Sequence, residues 1–262
     1  MIQIVRAELQ RLLRRRTVVA TAAASVVFAT VATVAVFAAA RASGPALARG
    51  GTTVAELATS GGGTEAFAVG SSFLGFFVFV TFIALVATEF SGGTFRALLL
   101  RDPHRLRLIT GKLVGALVVA AGALALTAVV SFGLSLALAP SKDIDTSAWL
   151  SLSGAGHALA DYGTVLAGVT GWAIFATTLA VVFRSVPLAL GVGFAWAGPF
   201  ENIIVDSWST GYRVFPGQVL AAIIQGGTPE ISLGRAAVTG VVYVGLAAAA
   251  TTILLSRRDV TS

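Results

Sequence analysis

Charged residues divide the chain into long uncharged stretches separated by short polar segments. Five of these stretches are 21 to 29 residues long. Such lengths are typical of membrane-spanning helices, because about 20 apolar residues cross roughly 30 Å of hydrocarbon. Two further uncharged stretches, 185–200 and 214–229, are only 16 residues long and contain prolines, so each is long enough for a short span at most. The five long stretches cover 17–40, 66–88, 113–141, 162–183 and 236–256.

The distribution of basic residues favours six spans. If 185–205 is the only crossing in the ambiguous region, one side of the membrane holds 13 of the 18 Lys and Arg residues and the other side holds 5. The positive-inside rule then places the richer side, with both termini, in the cytoplasm. The sequence predicts an all-α membrane protein with a single transmembrane domain over 1–262. The predicted spans are about 17–40, 66–88, 110–138, 162–183, 185–205 and 236–256.

Residues 206–230 lie between the last two predicted spans and contain several glycines and prolines. We interpret them as an external hairpin whose apolar half re-enters the membrane. Broken backbone at membrane depth is tolerated where protein or a cavity covers it.

The first sixteen residues predict an amphipathic helix that lies along the cytoplasmic interface. Its basic and polar face would meet anionic lipid headgroups. An apolar stripe lies on the opposite face and consists of Ile2, Val5, Leu9, Leu12 and Leu13. This start also resembles a secretory signal peptide, but the 24 uncharged residues that follow favour an uncleaved first span.

The composition excludes several kinds of site. The chain is 56% hydrophobic, has a mean hydropathy of +0.89 and contains no cysteine, so disulfides and thiolate metal sites are excluded. The two histidines, His104 and His157, lie far apart, and we expect no metal site. Gly111-Lys112 lacks the other residues of a Walker A loop, so we expect no nucleotide site and no enzymatic activity in this chain. Despite the pI near 10.7, the basic residues flank spans, and no nucleic-acid partner is expected.

The segment from Glu89 to Lys112 concentrates charge between the second and third spans. Gly92-Gly93-Thr94 predicts a turn and a helix start, and Asp102-Pro103 a helix end. The segment, with its core at 89–109, is therefore predicted to be a short helix at the membrane surface. A simpler interpretation is a basic loop whose charges only orient two spans.

The same segment resembles the cytoplasmic signature of ABC-2-type transporter permeases, the membrane subunits of ATP-binding-cassette exporters. The shared pattern is an acid, Gly-Thr, two leucines, a proline, an arginine and Gly-Lys entering the third span. Here the matching residues are Glu89, Gly93, Thr94, Leu98, Leu99, Arg105, Gly111 and Lys112, together with Arg96. The proline departs from the pattern, because Pro103 stands two residues before Arg105, whereas the family commonly has it three residues before. The layout of six spans with a basic amphipathic start is also similar.

The resemblance implies that this segment is a coupling helix, which docks on a separate ATPase subunit. Glu89 would anchor the end of the second span, and an apolar face would enter a groove on the ATPase. Basic residues would pair with acids there. The apolar face consists of Phe95, Leu98 and Leu99, and the basic residues are Arg96, Arg101 and Arg105.

The resemblance also implies the working unit. Two ABC ATPase subunits, which hold ATP and Mg, would serve two permeases, the second identical or paralogous. The exported substrate would be amphipathic or hydrophobic: a drug, peptide or lipid. Residues of its path would be Phe73, Phe76, Phe77, Phe79 and Glu201, although lipid-facing phenylalanines and a solvated Glu201 at the membrane rim are the simpler interpretation.

Two other functions remain open from the sequence. One is a non-transporting membrane scaffold or sensor that recruits a soluble cytoplasmic partner. The other is an ion-coupled carrier, which the scarcity of charges in the middle of the spans disfavours. The expected location is a bacterial cytoplasmic membrane, in contact with its lipids.

Overall fold

A computed structural model of the protein describes residues 1–40, 52–100 and 103–257. In these ranges the regular structure is helical and no strand is formed. The α-helices are α1 (Ile2–Leu12), α2 (Arg15–Ala39), α3 (Val54–Leu57), α4 (Gly62–Ser91), α5 (Thr94–Leu99), α6 (Arg105–Leu138), α7 (Leu152–Phe183), α8 (Val186–Ala195), α9 (Glu201–Ser207), α10 (Pro216–Ile224) and α11 (Leu233–Arg257). Short 3₁₀ turns follow at Ala139–Lys142 and Ser209–Arg213.

In the part of the chain that the structure describes, six helical segments are long and apolar enough to cross a membrane, which confirms the predicted number. Five of them are single helices, built on α2, α4, α6, α7 and α11. The remaining one, Val186–Ser207, consists of α8, a π-helical turn at Trp196–Phe200 and α9. Pro199 lies inside the π-helical turn and has no backbone N–H to donate, which accounts for the break in regular α-helix.

The fourth long helix, α7, begins at Leu152, ten residues before the predicted start of its span. The sequence places the start of this span after Asp161 because a charged residue ends the uncharged stretch there. In the fold, Asp161 accepts a 2.5 Å hydrogen bond from the Thr64 hydroxyl of α4. The helix continues through this charge because the carboxylate has a polar partner on the neighbouring helix.

The centre of the bundle is the interface between α4 and α7. Phe79 of α4 and Trp172 of α7 pack there with their ring centroids 5.0 Å apart. Gly75 lies beside the same indole: a Cβ at this position would come within 2.7 Å of Trp172 Nε1. A small residue is therefore required where the two helices approach most closely.

The contacts between helix ends support the six-span topology. Arg11 of α1 reaches Glu89 at the end of α4, and Arg105 of α6 donates to the carbonyl of Leu255 in α11. Arg184, after α7, lies over the ring of Phe90. We call this end of the bundle, with α1, α5, Arg184 and the C-terminus of α11, the basic end.

The opposite end, which we call the hairpin end, contains residues 206–230 and the other helix connections. There the Lys142 ammonium donates to the carbonyl of Ala40, 3.3 Å away, and Trp149 Nε1 donates to the carbonyl of Leu57. The four segments that the charge argument assigned to one side thus lie together at the basic end.

The predicted hairpin contains the short helix α10, which packs between α7 and α11. Pro216 at its first turn favours helix initiation, and Gly226 and Gly227, both at positive φ, turn the chain after its end. Three glycines make room for its side chains: Gly168 and Gly171 on α7, and Gly240 on α11. The apolar half of 206–230 is therefore covered by protein on both sides.

Candidate functional site

Glu89 lies in the last turn of α4, where it is only 6% exposed. One carboxylate oxygen, Oε1, lies 3.0 Å from Arg11 Nη1 and 2.5 Å from Lys112 Nζ. Burial of an unpaired carboxylate is costly, and here two cations from two other helices pair with it. The acid and the lysine at the two ends of the Glu89–Lys112 segment are thus joined.

A second buried acid completes this cluster. Glu8 of α1 is 4% exposed and lies 2.9 Å from Arg11 Nη2 and 3.4 Å from Lys112 Nζ. We call Glu8, Arg11, Glu89 and Lys112 the anchor cluster. It binds α1, α4 and α6 to one another with two acids and two bases.

Helix α1 can approach α6 closely because α6 presents two glycines to it. A Cβ at Gly111 would lie 2.8 Å from Ile4 Cγ2, and one at Gly115 would lie 2.9 Å from Glu8 Cβ. The packed face of α1 is therefore Ile4, Glu8 and Leu12, whereas Ile2 and Leu13 of the predicted apolar stripe are exposed. This packing positions Glu8 for its contact with Lys112.

Helix α5 begins directly after the anchor cluster. Gly93 at φ +70° turns the chain, a conformation that favours glycine. The Thr94 hydroxyl donates to the Glu89 carbonyl, 3.2 Å away. Phe95 is 1% exposed, and its ring centroid lies 4.5 Å from that of Phe90. The start of α5 is thus fixed to the end of α4.

The side chains of α5 divide into an inner and an outer set. Leu98 and Leu99 are half-buried against the core, whereas Arg96 is exposed and Leu100 is 87% exposed. Phe95, which was predicted to enter a partner's groove, packs inside this chain instead. Arg96 and Leu100 are the largest exposed side chains of this region and are available to a partner, and Arg101 lies outside the described residues.

Two contacts connect the α5 region to the rest of the bundle. The guanidinium carbon of Arg184 lies 5.8 Å from the centroid of Phe90, which in turn packs on Phe95. Arg105, the first residue of α6, donates to the Leu255 carbonyl at 2.9 Å. The end of α4, on which Phe95 packs, is therefore linked to the α7–α8 junction, and the start of α6 is linked to α11.

A second candidate region is a cavity of about 320 Å³ toward the hairpin end. Glu201, at the start of α9, lines it and is fully buried. Its two carboxylate oxygens accept backbone hydrogen bonds from Gly217 and Gln218, each 3.2 Å long. These donors are the free N–H groups at the N-terminus of α10. The expectation of a solvated rim residue is thus wrong for Glu201.

A larger chamber of about 760 Å³ lies beside this cavity. Both spaces share three wall residues, Trp172, Ala197 and Gly217. Of the predicted path residues, Phe73 and Phe76 line the larger chamber and Phe79 the smaller cavity, whereas Phe77 is 58% exposed and lines neither. The structure thus brings four of the five predicted path residues to these two spaces.

Sequence reasoning missed Glu8 and Trp172 as site residues, and it named Lys112 in the shared pattern without predicting its pairing with the two acids. For Glu8 a signal was present, because it lies on the same helix face as Ile4 and Leu12, four residues away on either side, and is the only acid of α1. For Trp172 there was none, since a tryptophan within a span is usual in any membrane helix. Within 1–40, 52–100 and 103–257, no three acids and histidines are grouped to hold a metal ion.

A comparison with known protein families finds a match over residues 52–261. The chain belongs to the family described as "Protein of unknown function (DUF2705)". The matched region of this DUF2705 protein includes α5, Lys112 and the residues that line both spaces, while α1 and α2 precede it. No curated protein matches the chain.

Proposed function

We propose that this protein is the permease subunit of an ABC-2-type exporter and that α5 is its contact with a separate ATPase subunit. The observation that carries the proposal is the combination of a fixed start and an exposed outer face in α5. Phe95 and Thr94 hold the helix to α4, whereas Arg96 and Leu100 remain exposed.

Rigid attachment is what a coupling element needs physically. A force applied to a flexible loop is lost in local rearrangement, whereas a packed helix moves with the elements that it contacts. Through the anchor cluster, a displacement of α5 would reach α1 and α6. Through Arg184 and Arg105 it would also reach α7 and α11.

The proposed assembly follows the sequence resemblance. Two ATPase subunits would carry ATP and Mg, and two permeases, identical or paralogous, would form the path for an amphipathic or hydrophobic substrate. Arg96 would pair with an acid of the ATPase while Leu100 fills an apolar depression beside it. The basic end would face the cytoplasm of a bacterial cell, since 11 of the 14 Lys and Arg residues that the structure describes belong to it. Helix α10 would be the re-entrant part of the hairpin.

The test is co-purification of an ATPase with the tagged, detergent-solubilised chain from its native membrane. Glu89 is unsuitable as a docking probe because it is buried in the anchor cluster. The informative variant is Arg96→Ala with Leu100→Ser, which alters only exposed side chains of the α5 region. The matched control is Arg6→Ala with Leu13→Ser, which removes an exposed arginine and an exposed leucine from the α1 region at the same end.

We expect an ATPase with a Walker A motif to co-purify with the wild type and the control, and its recovery and its ATP turnover to fall at least fivefold with the α5 variant. Equal loss in both variants would overturn the assignment of α5 as the contact. Recovery of the intact chain without any ATPase would overturn the permease proposal and favour a membrane scaffold with another soluble partner.

A further inference from the structure

The smaller cavity has a wall that is unusually rich in aromatic rings. Four of its twelve lining residues are aromatic: Phe79, Trp172, Phe175 and Trp196. Aromatic rings attract organic cations placed within about 6 Å of a ring centroid, and tryptophan does so most strongly. The chemistry of this wall therefore suits a positively charged ligand with an apolar body.

Glu201 adds negative charge to the same cavity. Its carboxylate is fully buried, so water does not screen it and its electric field extends into the cavity. The positive end of α10 neutralises part of that charge, since the N-terminus of a helix carries roughly half an elementary charge. Roughly half of the negative charge is therefore left uncompensated by α10.

Among the described residues, none that lines either space is basic. The acids among the lining residues are Glu201 in the cavity and Glu230 in the larger chamber. An anionic ligand would thus meet a negative field with no lysine or arginine among these lining residues to oppose it. A cationic ligand would meet the aromatic rings and the field of Glu201 together.

A further feature points to a ligand site here. The π-helical turn Trp196–Phe200 lines both spaces, and π-helical turns occur frequently at functional sites.

We propose that the cavity binds a lipophilic organic cation, such as an aryl quaternary ammonium compound, with Glu201 supplying the field and the tryptophans the contact surface. A volume of about 320 Å³ lies within the range of small-molecule sites. Binding itself requires no ATPase. The extension to transport, in which such cations are the exported substrates, rests on the proposed function.

The experiment measures binding of phenyltrimethylammonium to the purified full chain by isothermal titration calorimetry. The detergent is a maltoside, because a choline headgroup would compete for the site. The neutral isostere tert-butylbenzene tests the charge, since the two molecules differ by the exchange of N⁺ for carbon. Empty micelles provide the baseline for partitioning.

Three variants test which residues are responsible for cation binding. Glu201→Gln keeps the shape and an acceptor oxygen but removes the charge, and we expect at least a tenfold loss of affinity for the cation. Glu230→Gln removes an acid from the larger chamber, and we expect a change of less than threefold. Trp172→Phe keeps an aromatic ring of weaker attraction for cations, and we expect a loss of severalfold.

Saturable cation binding that Glu201→Gln weakens and Glu230→Gln spares supports the site. Equal affinity for the cation and tert-butylbenzene, or unchanged binding in Glu201→Gln, would overturn it in favour of a purely apolar cavity. If Glu201→Gln fails to fold, the affinity of Trp172→Phe for the cation becomes the test. An affinity equal to that of the wild type would then overturn the proposal. Failure of ATPase co-purification would leave this result untouched, so the two proposals fail separately.

Discussion

Glu89 at the basic end and Glu201 toward the hairpin end are both buried, but their charges are balanced in different ways. Glu89, 6% exposed, lies within 3.0 Å of both Arg11 and Lys112. Glu201, fully buried, accepts hydrogen bonds from the backbone N–H groups of Gly217 and Gln218. The first acid is paired with full positive charges, whereas the second is met by the partial charge of a helix end.

The difference separates a structural role from a binding role. Full ionic pairing leaves little field outside the anchor cluster, so the basic end can use its charges to hold helices together. Partial compensation leaves a field in the neighbouring cavity, where the low dielectric of the interior strengthens it. The same residue type can thus fix one end of the molecule and recruit a ligand at the other.

The largest expected effect comes from removing Lys112. In Lys112→Met, Glu8 and Glu89 stay buried but share only Arg11, whose side chain is 41% exposed. Breaking a buried ion pair from one side costs about 3–5 kcal/mol, because the remaining charge is left in the interior. Denaturant titration in mixed micelles should therefore show a loss of this size in the free energy of unfolding.

Lys142→Met is the matched control for this substitution. Lys142, at the hairpin end, contacts a carbonyl oxygen and no acid among the described residues, so its loss should cost only about 1 kcal/mol. Adding Glu89→Gln to Lys112→Met should restore part of the stability, since it removes the unpaired charge. Equal losses in the two lysine variants would show that the anchor cluster does not stabilise the fold as its geometry implies.

A steric change at Gly115 should have an intermediate effect. Valine at this position would collide with Glu8, because even a Cβ lies 2.9 Å from Glu8 Cβ. Overpacking of this kind costs about 1–3 kcal/mol. Gly122→Val on the same helix is the control, since among the described residues a Cβ there would meet no atom of a neighbouring helix within 4 Å. If both valines cost the same by thermal unfolding, α1 does not depend on its glycine contact with α6.

The spans were predictable from the sequence because uncharged length and basic flanks are one-dimensional signals. The six helices and the grouping of Arg11, Glu89, Arg105 and Arg184 at one end follow from them. Ion pairs between helices depend on how the helices pack, which the sequence pattern does not give. No spacing rule connects Glu8 with Lys112, 104 positions apart. The same holds for Glu201, whose burial depends on how residues 206–230 fold back over it.

Phe95 shows the limit of pattern reasoning in a short helix. A six-residue helix has fewer than two turns, so its apolar positions do not tell whether they face a partner or the parent chain. In the structure, the ring of Phe95 packs against the ring of Phe90, and Arg184 lies over that same Phe90 ring. The apolar face predicted for an ATPase groove thus serves, at Phe95, to hold α5 in place.

The smallest expected effect comes from Arg11, which contacts the same two acids as Lys112. Its side chain is 41% exposed against 12% for Lys112, so water and salt screen its charge far more. Arg11→Ala should therefore cost only about 0–1 kcal/mol of the free energy of unfolding, and the loss should shrink further in 1 M NaCl. Arg14→Ala, an exposed arginine outside the anchor cluster, should change stability by less still. If Arg11→Ala lost as much free energy of unfolding as Lys112→Met, the Arg11 guanidinium would contribute as much to the anchor cluster as the Lys112 ammonium. Burial of the cation would then not explain how strongly each base stabilises the cluster.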